Sequence, residues 1–170
     1  MGTFHVDIES MFQRAHEALE RAWNYLHPFL SADCKGGVIC MIVAVDDRSK
    51  TKRWLFHTIL AEKANRYYFF AEEKAMRLQR HASHLSSRQS MNKAQEQYPG
   101  AVRCRSSEGA EVILSFSGLP AAADEALMLL IALELRWMDE GLALQIAALA
   151  NDPDLYFERA NELHRRFVRA

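Results

Sequence analysis

Cysteine is scarce in this 170-residue chain, and its three copies, Cys34, Cys40 and Cys104, form no pairing framework and no metal-ligand spacing. An odd number of scattered thiols reads as reduced cysteine, so the expected location is the cytoplasm. The opening residues MGTFHVDIES lack the basic-then-apolar build of a secretory leader, and Val6 stands where a myristoylation signal needs Ser or Thr. No apolar run approaches the roughly 20 residues that cross a bilayer, so no membrane partner is expected. Also missing are G-x-S-x-G, a Walker phosphate loop, a dinucleotide fingerprint and zinc-site spacing. There is no internal repeat and no low-complexity stretch. These absences leave no activated nucleophile or acid–base pair to name.

What is present is ordinary in amount and uneven in placement. Apolar residues make up 49% and charged residues 25%, the usage of a soluble globular chain. A chain of this length buries about 70% of its unfolded surface, enough for one domain. Residues 1–170 are read as that domain, with a core over about 7–138 and a helical extension over about 139–170. The net charge of −1 conceals two opposite halves. Residues 48–105 hold thirteen Lys or Arg against four Glu, while residues 106–154 hold nine Asp or Glu against Arg136 alone. Such halves attract a small anionic ligand or each other. Mutual complementation is the reading taken. The basic residues lack the aromatic interleaving and motifs of nucleic-acid binders, so no nucleic acid is expected.

The stretch from Glu111 to Leu135 organises the rest. Val112, Leu114 and Phe116 alternate with Ile113 and Ser115, a strand with one strongly apolar face. Gly118 permits a sharp bend, and Pro120 suits a first helical position. Asp124 and Glu125 then place negative charge where a helix dipole favours it. From Ala126 to Leu133 no side chain is polar, which predicts a helix buried on every side. Its cover is expected to be the C-terminal segment or a second subunit, and a homo-oligomer is the expected partner.

Earlier in the chain, residues 7–30 carry a helical stripe capped by Asp7, with Pro28 loosening the last turn. Residues 37–45 form a β-branched run without alternation, the mark of a central strand covered on both faces. Residues 46–50 read as a hairpin turn and 53–60 as the returning strand. A second helix is predicted over 61–85 from Ala64, Tyr68, Ala71, Ala75, Leu78, Ala82 and Leu85, a narrow stripe suited to lying on a sheet. Residues 86–97 hold a short helix, 98–100 a turn, and 101–105 a strand paired with 111–117. After a break at 137–141, residues 142–150 continue helical. Asp152 and Pro153 start a last helix that is a candidate lid over the central one.

This order gives an α+β domain: a mainly antiparallel sheet of about four to five strands with helices packed on it. Val43-Ala44-Val45-Asp46 at a strand end, Glu62-Lys63-Ala64 at a helix start, and Ser117-Gly118 ahead of Asp124-Glu125 resemble, in that order, the GlcG/HbpS-type domain also found at the end of PduO-type proteins. The resemblance spans roughly residues 10 to 135. It implies a profilin-like architecture, haem or another small ligand, and an oligomer. The chain departs from that pattern at Asp47-Arg48-Ser49 and at Phe56-His57-Thr58-Ile59.

Four groups of residues are candidates for chemistry. His81 and His84, spaced i, i+3, would share one helix face and hold a metal or haem iron, although helix C-termini favour histidine for structural reasons too. Ser117 and Gly118 lead into a helix whose free N–H groups suit an anion, although a strand-to-helix turn calls for glycine anyway. His57, in an apolar strand, would face a cleft with Ser115 and Ser117, though such histidines usually serve the core. Cys40 reads as inert core and Cys34 as the accessible thiol. The leading function is a non-catalytic small-ligand-binding module built on His57, Ser115, Ser117 and Gly118. A structural protein acting through a homo-oligomeric interface stands second and an enzyme third.

Overall fold

Val38 to Val43 offers no polar position on either side, and the structure, a computed structural model, covers both sides. It describes residues 6–47, 50–61, 65–150 and 156–168, and over 46–65 the backbone path and strand pairing alone. Helix α1 (Ile8–Leu26) opens with Asp7 accepting a hydrogen bond from the Ser10 amide at 3.0 Å. It unwinds into a 3-10 turn, His27–Phe29, where Pro28 has no N–H to continue the helix. Strands β1 (Gly36–Asp47) and β2 (Lys50–Ala61) follow, then helix α2 (Asn65–Arg80). Two 3-10 turns, Ser87–Ser90 and Lys93–Gln95, lead to β3 (Ala101–Arg105) and β4 (Glu111–Ser117). Helices α3 (Ala121–Glu134), α4 (Glu140–Ala147) and α5 (Tyr156–Val168) complete the chain.

The strands form one antiparallel sheet in the order β2-β1-β4-β3. Alternation along each strand sorts the core into two layers. Ile39, Met41, Val43, Val112, Leu114 and Phe116 face the layer of α1 and α3. Val38, Cys40, Ile42 and Ile113 face α2 through its Ala71, Ala75 and Leu78. The alanines let α2 lie close against the strands, as the stripe predicted. β1 and β4 also approach closely where they begin and end. A Cβ on Gly37 would sit 2.0 Å from the Ser117 carbonyl oxygen, and Gly118 takes φ +144° to leave the sheet.

Helix α3 is buried along Ala123 to Ala132. α1 and α5 supply the cover, and Phe157 and Ala160 of α5 together with Ala143 and Ile146 of α4 belong to the same core. Beneath α5, Glu134 of α3 accepts hydrogen bonds from Arg21 of α1 and contacts His164 of α5, both at 3.1 Å. The segment after residue 139 thus completes the main core. The apolar surface that suggested a second subunit over residues 126–138 is buried within one chain along Ala126–Ala132 and at Trp137 and Met138, with Leu133 and Leu135 half-buried against the same core.

Two expectations need correction. Helix α2 stops at Arg80 rather than near Leu85. Arg103 of β3 donates to the carbonyls of Leu78 at 2.7 Å, His81 at 3.1 Å and His84 at 2.9 Å, capping the helix where β3 passes it. Ala61 is not helical but pairs with Gly36 at the end of β2. The segment expected as a helix at 86–97 is two 3-10 turns. Residues 48–49, in the expected hairpin turn, and Asp152 and Pro153 lie outside the described residues. No helix among the described residues is long and apolar enough to cross a membrane.

Candidate functional site

The first turn of α3 carries two adjacent carboxylates, and both are buried rather than turned to water. Asp124 accepts from the Leu119 amide at 3.0 Å, bracing the turn before the helix, and from Lys74 Nζ at 2.8 Å. Lys74 crosses from α2 and also donates to the Phe116 carbonyl at 2.9 Å. Burial pushes the Asp124 carboxyl up to about 6 although Lys74 pulls the other way. Gly100 closes this nest, since a Cβ there would lie 2.8 Å from Lys74 Nζ. With no room beside it, the Lys74–Asp124 pair is a clasp between α2, β4 and α3.

Glu125 sits differently. Ser86 donates its hydroxyl to Oε2 at 2.5 Å, and Arg88 donates Nε to Oε1 at 3.3 Å. Burial raises the Glu125 carboxyl above the ordinary range against the pull of Arg88 and Ser86. The donors are fixed by local structure. Ser86 and Gln89 form a capping box on the 3-10 turn Ser87–Ser90. Arg77 holds the same turn by donating to the Ser87 carbonyl at 2.6 Å, the Ser90 hydroxyl at 2.8 Å and the Tyr98 carbonyl at 2.6 Å.

Beside this pair lies a cavity of about 80 Å³. One face of α3 forms its floor through Ala122, Glu125, Ala126 and Leu129, at helical spacing i, i+3, i+4, i+7. Arg88 stands on one side, the alanines at the end of α4 on another, and Tyr156, Phe157 and Glu158 of α5 on a third. Arg88 Nη2 is buried and has no hydrogen-bond partner among the described residues. An unmet guanidinium N–H is costly in such a place, and a ligand acceptor would relieve it. The space admits several water-sized groups and is too small to enclose a haem. A wider open groove of about 330 Å³ runs along α5 past Leu144, Glu158 and Arg165, where Arg165 already pairs with Glu140.

The residues singled out from the sequence fall elsewhere. Ser115 is buried under α2 and donates its hydroxyl to the Ala71 carbonyl at 2.7 Å, so α2 fills the cleft expected there. Ser115→Ala is expected to cost about 1 kcal/mol of stability by chemical denaturation, the worth of one neutral hydrogen bond, with ligand binding intact. Ser117 is buried and paired with Val38, and Gly118 serves the close approach to Gly37. His57 pairs with Cys40 across from Ser115, and its side chain lies outside the described residues.

His81 and His84 come together, but not on a helix face. They lie in the turn after α2, their rings stacked at 4.7 Å between centroids and 14° between planes. Rings stacked nearly parallel direct their in-plane lone pairs side by side, so this arrangement does not converge on one ion. No group of three or more metal-ligating side chains occurs among the described residues. Cys40 is buried, its thiol pushed up to about 12 chiefly by burial. Cys104 is also buried and raised, and Cys34 is half-buried with its sulfur 3.6 Å from the Ser31 hydroxyl.

The pair that matters at the cavity, Arg88 with Glu125, was not among those residues. In the sequence Glu125 reads as a first-turn acid suited to the helix dipole, and Arg88 lies 37 positions away with nothing to mark it as its partner. Comparison with protein-family models, curated proteins and solved structures gave no match to this chain, so the site stands on its own geometry.

Proposed function

We propose that this chain is a small-ligand-binding module whose site is the cavity between α3, α4, α5 and the 3-10 turn that carries Arg88. The observation that carries the reading is the buried, unpartnered Arg88 Nη2 beside a buried Glu125. The ligand has a hydrogen-bond acceptor at one end, for Arg88, and a short apolar body, for Ala126, Leu129 and Phe157. A short-chain carboxylate has that form. Burial holds the Glu125 carboxyl above its ordinary range, and its protonation would release Arg88 from the ion pair and leave the cavity ready for an anion. Affinity for a carboxylate is therefore expected to strengthen as pH falls through the range where Glu125 takes up its proton. The order helix, strand, strand, helix, strand, strand, helix is in keeping with a profilin-like, GlcG/HbpS-type domain, a reading that itself points to small-ligand binding. Haem is not the ligand this cavity favours.

Titration calorimetry with a series of straight-chain carboxylates, from acetate upward, tests the proposal. Saturable binding with an optimum chain length is expected. Arg88→Gln should weaken it at least about tenfold, the loss of one charge-assisted hydrogen bond. Ala122→Leu, which fills the cavity from the α3 side, should shorten the preferred chain. Absence of saturable binding across the series, or equal binding by Arg88→Gln, overturns the reading.

A further inference from the structure

The two edges of the sheet are treated in opposite ways. On β3 the outward amides are satisfied: the Arg103 amide donates to the Leu85 carbonyl at 2.9 Å and the Arg105 amide to the Trp137 carbonyl at 3.1 Å. The Ala101 amide donates to Ser87 Oγ at 3.0 Å. β2, at the other end of the sheet, pairs with β1 over all twelve residues from Lys50 to Ala61, and among the described residues nothing pairs with its far side. In an antiparallel strand the backbone groups of successive residues turn alternately to the two neighbours, so about half of the N–H and C=O groups of β2 face away from β1, where no strand among the described residues takes them up.

Natural sheets guard such an edge by shortness, bulges, proline or lysine. This edge is long, and its register with β1 runs without a bulge. The basic residues Lys50, Lys52 and Arg53 crowd its beginning, and the stretch 54–61, Trp-Leu-Phe-His-Thr-Ile-Leu-Ala, holds no Asp, Glu, Lys, Arg, proline or glycine. Beyond that basic start, the eight residues from Trp54 to Ala61 carry none of these guards, and an open edge of that length calls for another strand.

We infer that β2 is a self-association edge, on which two copies of this chain pair their β2 strands antiparallel about a two-fold axis to form one eight-stranded sheet. The charge pattern selects this arrangement. Antiparallel pairing sets the basic start of one strand beside the uncharged end of the other, whereas parallel pairing would line up Lys50, Lys52 and Arg53 with their own copies. The same two-fold pairing uses both open edges at once. Since β3 is covered in each copy, the sheet cannot grow beyond the pair, and the assembly closes as a dimer. The inference is independent of the ligand cavity, none of whose lining residues belongs to β2.

Native mass spectrometry and light scattering of the full chain should give the mass of two 19.5 kDa subunits, and dilution should speed amide hydrogen exchange in β2 ahead of β1 and β4. Of His57→Pro and Thr58→Pro, neighbours in the strand, one removes an outward N–H and the other an N–H shared with β1. The outward variant should remain folded by circular dichroism with dimer affinity reduced at least about tenfold. A wild-type protein that is monomeric at every concentration overturns the inference, whether or not either variant folds. So does a dimer that survives both substitutions, or one whose β2 amides exchange at a rate indifferent to dilution. A foreign strand peptide that binds β2 of a wild-type monomer would equally overturn it in favour of a different partner.

Discussion

Lys74→Met is expected to destabilise the fold by about 3–5 kcal/mol at neutral pH, because it strands Asp124 as an uncompensated buried charge. Both side chains of the pair are 3% exposed, so water cannot stand in for the lost ammonium. The Phe116 carbonyl loses a donor in the same stroke. The double variant Lys74→Met, Asp124→Asn removes both charges while leaving an acceptor for the Leu119 amide, and it should recover more than half of the loss. Equilibrium urea denaturation at one pH measures all three proteins, and the difference between single and double variants isolates the pair. A Lys74→Met protein within about 1 kcal/mol of wild type would mean that Asp124 does not depend on the clasp, and the account of how α2 is tied to α3 would fail.

Little in the sequence announces that clasp. Lys74 sits among Glu72, Glu73, Met76 and Arg77, a run that any reading takes for the solvated side of a helix. Its partner lies fifty positions away, on a helix whose first-turn acids already have a sufficient local explanation in the dipole. Periodicity reports which face is apolar, and it is silent about a charge that crosses the end of a sheet to be neutralised. The same blindness explains the end of α2. The stripe through Ala82 and Leu85 is a fair helical pattern, but Arg103 takes the carbonyls of Leu78 and His81, and the chain turns at that point. His81 and His84 then meet by stacking in a turn, a contact that helical spacing imitates without causing.

What local pattern does carry is the sheet and the helix at its centre. β3 and β4 span the residues that alternation and the turns at 98–100 and 106–110 bracket, because strand pairing there is set by neighbours close in sequence. The apolar run at Ala126–Leu133 required burial, and the structure supplies it through α1 and α5. The opposite charges of residues 48–105 and 106–154 also meet as complementation implies, in Lys74–Asp124, Arg88–Glu125 and Arg103–Glu111. The cavity beside Arg88 is legible only after these pairs are placed, since its walls come from four segments spread between residues 88 and 158.

The buried acids also set how stability depends on pH. The folded Asp124 carboxyl titrates near 6 against an ordinary value of 3.8, because burial opposes its ionisation more than Lys74 assists it. Between those values the folded chain holds a proton that the unfolded chain has released, so the stability this group contributes falls as pH rises through the window. The contribution is whole below 3.8 and lost above about 6. A shift of about two units is worth roughly 3 kcal/mol at full extent. Glu125 is raised by the same cause and adds in the same direction, while Glu108, held low against burial by a backbone hydrogen bond and then by Arg14, acts oppositely at acid pH. The comparison of wild type with Asp124→Asn removes those other groups from the result. Their difference in unfolding free energy should shift against the wild type by about 2–3 kcal/mol between pH 4 and neutrality. A difference that stays level across this range, or moves in favour of the wild type, would show that Lys74 holds Asp124 ionised throughout. The loss caused by Lys74→Met should for the same reason be smaller at pH 4 than at neutral pH, since a protonated Asp124 asks less of the lysine.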